Sequence, residues 1–417
     1  MLSKSPSNSG RCAAAVVLSA IAIFANARVG RGDVAFDVEF SPGTDVLPFS
    51  DALKESVSAA TGVYSTVFKD AATIKVLVEL DSEATDFDLG DSPSVFAAGV
   101  GASEEQPYVD VASALFADAK SPHDFDSLPL LQTGPYLEAL THDTSLPLGD
   151  PGVGPGGSPE IRIGSAAAGA VGAKAEATWN SVLKVSRANS KALGLPVTED
   201  GAPDIRLIIN DEALPSFDYV RADGVSDGKF DFQAIAAHEL GHGMGFVSGV
   251  DDVDYAGIGG DPVSPAPDNP LDLSGMAVFS VLDLFRTNVV TRDPGIEFGQ
   301  PEEGGFVLDW RFGPPPGPFF KPFFSLDPVS FDPPEKVAFS TGAENGDGAQ
   351  ASHWEDAPLG LMVPDLSPGV ILDLSDLDVT AFDVIGWDIV PVPEPNGFLI
   401  AVLGLGGLSA VRRRRFA

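Results

Sequence analysis

The sequence has one cysteine, Cys12, among 417 residues, so an internal disulfide is impossible and a zinc site of four thiolates is excluded. Histidine is scarce too, at 5, and basic residues are outnumbered, 25 Lys and Arg against 60 Asp and Glu. A formal charge of −35 excludes a generic nucleic-acid binder, because phosphate backbones are held by clustered Lys and Arg; it disfavours anionic membrane surfaces for the same reason. Any transition-metal site must therefore come from five histidines and the carboxylates. Apolar material is abundant: 44% of residues are hydrophobic and 27 are Phe, too many for a solvated acidic tail. The length allows about one to three domains, ample for a buried core.

Both ends read as processing segments. Residues 1–27 place Lys4 and Arg11 ahead of an apolar run, Cys12 to Phe24, followed by Ala25-Asn26-Ala27. That order is a secretory signal peptide cleaved after Ala27, its run shorter than the ~20 residues that span a bilayer. Cleavage would leave a mature chain without a thiol. Residues 391–417 hold Pro393-Glu394-Pro395, an apolar segment from Gly397 to Val411, and Arg412 to Arg415. An apolar segment followed by arginines is a stop-transfer arrangement, a transmembrane helix with its basic end in the cytoplasm. This tail resembles the PEP-CTERM sorting signal of Gram-negative bacteria with an extracellular matrix. The resemblance implies an exosortase-type processing enzyme acting at Pro393-Glu394-Pro395, transient membrane insertion, and a destination outside the cell, at its surface or in the matrix. A permanent C-terminal anchor is the alternative. Without both ends the charge is near −40, so the acidity belongs to the middle of the chain.

The middle, residues 28–390, reads as one α+β domain without internal repeats. Leu53, Val57, Val63, Tyr64, Val67 and Phe68 recur at helical spacing, and Thr73 to Leu80 reads as a strand. A Gly and Pro cluster at 144–158 predicts a surface loop. An Ala-rich helix is expected over roughly 166–193, stopped by Gly194 and Pro196. Ile205 to Ile209 predicts a short strand, and Asp231 is placed to cap a helix starting near Phe232. Residues 255–350 are irregular, with Pro314 to Pro316 and Phe319, Phe320, Phe323 and Phe324; their aromatics need burial, which favours an insertion over a disordered linker.

On the helix after Asp231 stands His238-Glu239-Leu240-Gly241-His242. Histidines four apart project from one helix face, so both imidazoles can reach one metal ion. Glu239 lies beside them, placed to take a proton from activated water rather than to ligate. Glycines at 241, 243 and 245 are poor helix formers, so something other than helix stability selects them. A zinc hydrolase needs a third protein ligand. In the pattern H-E-x-x-H-x-x-G-x-x-H it would fall at Ser248, a weak neutral oxygen. Either Asp251 or Asp252 replaces it, or the chain makes an excursion before returning.

Downstream stand Ser352-His353-Trp354 and Leu361-Met362-Val363-Pro364. With the helix motif, these resemble the leishmanolysin-type metzincins, and the 200–390 region resembles metalloproteases that carry PEP-CTERM tails. Gly245 to Asp251, Leu282 to Arg286 and Ala381 to Asp388 add to that likeness. The resemblance implies a metzincin-like zincin domain: a small mixed sheet, an active-site helix and a long insertion before the third zinc ligand. It makes His353 that ligand, with His238 and His242, and Met362 the methionine of a turn beneath the metal. Asp251 is the runner-up third ligand. His123 and His142 lie in polar, loop-like sequence without an assigned role.

These residues permit zinc-assisted hydrolysis of protein or peptide substrates, with Glu239 as catalytic base. By analogy with metzincin edge strands, Ile205 to Ile209 could pair with an extended substrate. A thiol-free mature chain cannot hold itself latent through a cysteine on the metal, so a pro-region within 28–150 would have to block the cleft sterically or with a carboxylate. Asp251, Asp252 and Asp254, and the run Asp373, Asp376, Asp378, Asp383 and Asp388, lack EF-hand spacing. They read as solvated acidic surface, with structural Ca2+ as the other expectation. The competing functional classes are a non-catalytic matrix or adhesion protein with a structural metal, and a metal-dependent hydrolase of non-peptide substrates.

Overall fold

The computed structural model describes residues 33–81, 96–135, 137, 139–141, 162–163, 180–256, 276–289, 306–310, 321–324, 326, 337–344, 346–355 and 360–389. The signal segment, the C-terminal tail, the cluster at 144–158, His142, Pro314 to Pro316, Phe319 and Phe320 lie outside the described residues.

The strands are β1 (Ala35–Phe40), β2 (Thr73–Asp81), β3 (Ala97–Gly101), β4 (Ser103–Pro107), β5 (Ala139–Thr141), β6 (Arg162–Ile163), β7 (Val182–Ser186), β8 (Ile205–Asn210), β9 (Phe217–Asp218), β10 (Phe230–Asp231), β11 (Arg286–Val289), β12 (Phe306–Asp309), β13 (Phe323–Phe324) and β14 (Val337–Ala338). The α-helices are α1 (Pro42–Asp45), α2 (Ser50–Val67), α3 (Tyr108–Asp118), α4 (Pro122–Ser127), α5 (Arg187–Leu193), α6 (Phe232–Gly243), α7 (Val250–Ala256) and α8 (Asp376–Val384). The class is α+β, as expected.

The sheet that positions the site runs β1-β2-β8-β3. β1, β2 and β8 are parallel, with Val38 opposite Val76 and Val78 opposite Leu207. β3 runs antiparallel to β8, Ala97 opposite Ile209. Consecutive Leu207, Ile208 and Ile209 are all fully buried, as befits a central strand covered on both faces. The predicted strand at 205–209 is thus present but interior, and the edge strand on the side of α6 is β3; the expectation that Ile205 to Ile209 meets a substrate is corrected. A helical stripe of α2, Leu53, Val57, Ala60 and Tyr64, is buried, and the Tyr64 hydroxyl donates to Ala237 O of α6 at 2.6 Å. β1, β2 and β3 thus supply three of the four strands of the sheet packed against α6.

The helix expected over 166–193 is corrected. Residues 164–179 lie outside the described residues, 182–186 form β7 against β4, and α5 covers only Arg187–Leu193. Val182, Leu183 and Val185 carry β-branched and alternating character that outweighs the alanine-rich run before them. Ser186 then caps α5 by accepting from Asn189 N at 3.1 Å, and Gly194 ends it with φ +64°. The irregular insertion contributes β11 to β14 to a second sheet, ordered β14-β13-β11-β12-β5-β6. Phe323, Phe324 and Phe339 are buried there, so these three find the burial expected of them.

Behind the site Tyr64, Phe68, Phe246, Phe382, Trp354 and Trp387 form a continuous aromatic cluster with centroid separations of 5.1 to 6.0 Å. Each such side chain buries about 150–250 Å2, or about 4–6 kcal/mol of transfer free energy before ordering costs. The cluster joins α2, the end of α6, the turn at 352–354 and α8, elements distant in sequence.

Candidate metal centre

Helix α6 starts where Asp231 Oδ1 accepts from Gln233 N at 3.1 Å and Ala234 N at 3.3 Å. Close packing selects its glycines. A Cβ on Gly241 would lie 2.7 Å from both Met362 Sδ and the Tyr64 hydroxyl, and one on Gly243 would lie 2.5 Å from Ile205. Gly245, at φ +114°, turns the chain so that Phe246 O comes within 2.7 Å of His242 Nδ1.

His238, His242 and His353 converge. Their Nε2 atoms are separated by 3.0 Å (His238–His242), 3.1 Å (His238–His353) and 3.2 Å (His242–His353). Each Nδ1–H has a carbonyl acceptor: Leu361 O at 2.8 Å for His238, Phe246 O at 2.7 Å for His242 and Gln350 O at 3.2 Å for His353. With the protons assigned to Nδ1, three Nε2 lone pairs face one point, an arrangement that repels itself unless a cation is shared. Burial, then repulsion from His238, pushes His242 down to about 3. Burial likewise lowers His238, and burial followed by its two neighbours holds His353 well below the usual range. All three are neutral at pH 7, the form that ligates metals. Tetrahedral zinc at ~2.0–2.1 Å from nitrogen sets neighbouring donors ~3.3 Å apart, so the observed triangle fits. Among the described residues this is the one group of three whose ligand atoms converge.

Glu239 stands beside the triangle and is not a member of it. Its Oε2 accepts from Gly99 N on β3 at 2.8 Å, and burial raises it to about 8 against the opposing effect of that hydrogen bond. The space above it is a cleft of about 690 Å3, edged by Ala97 to Gly101 and floored by the three histidines.

Met362 lies under α6 against Gly241. Its carbonyl accepts from Trp354 N at 2.9 Å, joining the turn below the histidines to the residue that follows His353. Asp378, read as acidic surface, is fully buried. Its carboxylate accepts from Trp354 Nε1 at 2.8 Å, Leu361 N at 2.7 Å, Met362 N at 3.3 Å and both Ser375 N and Oγ. The Ser375-x-x-Asp378 capping box was the signal available in sequence. Asp254 and Asp383 are buried as well, whereas Asp373 is 68% exposed. The acidic-surface reading therefore fails for Asp254, Asp378 and Asp383.

Asp251 is not in the triangle; it accepts from Ala351 N, from Ser352 N at 3.0 Å and from the Ser352 hydroxyl. Asp252 pairs with Lys184 at 2.8 Å, so neither aspartate takes the place of His353. His123, expected in a loop, sits on α4, where its Nδ1 shares a hydrogen bond with Asp383 at 3.2 Å. Sequence reasoning missed Gly99, Asp378 and Tyr64 as supports of this centre. Comparison with known protein families, curated proteins and solved structures yields no match.

Proposed function

We propose that this chain is an exported zinc-dependent endopeptidase of metzincin type, with His238, His242 and His353 as ligands, Glu239 as catalytic base and Met362 as the turn methionine. The observation that carries the proposal is the triangle of neutral imidazoles with a carboxylate outside it, beside the edge strand β3. A structural metal site has no use for a base held aside from the ligands. When bound, zinc would supply positive charge that acidifies water and polarises a carbonyl.

Gly99 N–H holds Glu239 against β3, aimed into the cleft. The nearby charge of a bound cation would keep Glu239 ionised against the effect of its burial; the carboxylate then accepts the proton released as water attacks the scissile carbonyl and returns it to the leaving amine, so the peptide bond breaks with no net change in the base. An extended peptide would lie along β3, whose backbone offers the main-chain pairing first expected of Ile205 to Ile209. The terminal segments support export by the signal peptide and sorting by the PEP-CTERM tail.

The test is hydrolysis of casein or gelatin by the full chain, its abolition by 1,10-phenanthroline and recovery on adding Zn2+. Glu239→Gln should retain one zinc per chain and lose about 100- to 10,000-fold in rate. Stoichiometric zinc without hydrolysis in the wild type would favour the matrix or adhesion reading, and zinc loss in Glu239→Gln would make Glu239 a ligand.

A further inference from the structure

His238 and His242 are held in register by one helix, whereas His353 arrives 111 residues later in a turn. Its own ring makes the longest of the three Nδ1 hydrogen bonds, 3.2 Å to Gln350 O. A different group fixes the turn. Asp251 Oδ1 accepts from Ala351 N, and Oδ2 accepts from Ser352 N at 3.0 Å and from Ser352 Oγ. Ser352 Oγ in turn accepts from Ser248 N at 2.8 Å. Arg286, 1% exposed, donates from the other side to Ala351 O at 3.2 Å and to Ser340 O at 2.9 Å. Both residues ahead of His353 are thus held by side chains of other segments.

Asp251 belongs to α7, which begins at Val250, shortly after α6 ends at Gly243. The carboxylate that holds the third ligand's turn is therefore tied to the helix that carries the first two. Both oxygens are occupied by the donors of Ala351 and Ser352, leaving Asp251 outside the converging ligand atoms. The geometry points to Asp251 as the positioning residue of the centre: it presets His353 against His238 and His242 before any ion arrives. The inference rests on reading the three histidines as a metal centre. Without the clamp, ordering the turn would draw on metal-binding free energy, which lowers affinity without changing the ligand set.

The test uses the full chain, made metal-free, with Zn2+ affinity measured by competition against a chromophoric chelator. Outer-shell partners typically contribute 10- to 100-fold in affinity, so Asp251→Ala should weaken zinc binding by about that factor. Asp251→Asn and Ser352→Ala, which each keep part of the clamp, should lose less. At saturating Co2+ all three should show the wild-type visible spectrum, because three imidazoles still ligate, whereas His353→Ala should change it. Lower thermal stability with unchanged zinc affinity would overturn the inference, reducing Asp251 to a fold element. A Co2+ spectrum altered as in His353→Ala would overturn it by making Asp251 a ligand. If Asp251→Ala does not fold, the two milder variants decide by the same readouts. A wild type that binds no metal would overturn the metal-centre reading itself.

Discussion

Gly99 and Glu239 touch twice: the Gly99 N–H donates to the Glu239 carboxylate at 2.8 Å, and a Cβ on Gly99 would lie 1.8 Å from Glu239 O. One glycine therefore sets both how closely β3 approaches the metal helix and where the carboxylate points.

Gly99→Ala should force β3 and α6 apart. Overpacking of this kind costs about 1–3 kcal/mol, here at the upper end because the obstacle is backbone rather than a movable side chain. Thermal unfolding should register the loss, and peptide hydrolysis should fall further than stability alone accounts for, since Glu239 loses its hydrogen bond. An alanine variant with wild-type melting temperature and rate would contradict the contact.

Asp378→Asn should destabilise the domain by about 3 kcal/mol or more. The asparagine amide would put a donor in place of one of the two acceptor oxygens, facing either Leu361 N and Ser375 N or Trp354 Nε1 and Met362 N, which already donate, and buried donors left unpaired cost about 1–3 kcal/mol each. Because Leu361 O receives the His238 Nδ1 proton, zinc affinity should fall along with the melting temperature. Chemical denaturation paired with zinc competition would check both; loss of stability with full zinc affinity would separate the turn from the metal.

Asp70 and Asp383 should make stability fall as pH rises, the reverse of a salt-bridged carboxylate. Burial first, then neighbouring aspartates, raise each to about 8 from the ordinary 3.8. Between those values the folded state holds the extra proton, so the contribution is greatest below about pH 4 and is lost as pH rises to about 8, at about 1.4 kcal/mol per pH unit for each group. Asp70 is the cleaner probe: its Oδ1 is buried without a hydrogen-bond partner, while its Oδ2 accepts from Asp388 N at 2.9 Å, a bond that Asp70→Asn can keep. Relative to wild type, Asp70→Asn should gain several times more stability at pH 8.5 than at pH 5. Parallel melting curves at the two pH values would refute the raised pKa.

Local pattern made α2, β2, β8 and the start of α6 legible, because helix and strand periods and the Asp231 cap act over a few residues. The four-residue spacing of His238 and His242 likewise places them on one face without reference to the rest of the chain. Composition also limited any metal site to histidines and carboxylates. His353 was accessible through resemblance to a motif, while the residues alone left Asp251 and Asp252 open as alternatives. Only the tertiary structure brings His353 to the other two and turns Asp251 into the holder of its loop, since a separation of 111 residues carries no periodic signal. The same reason explains the other corrections. Whether β8 is central or at an edge depends on where β2 and β3 pair, and whether Asp378 is solvated or buried depends on what α8 packs against; both are decided by long-range contacts.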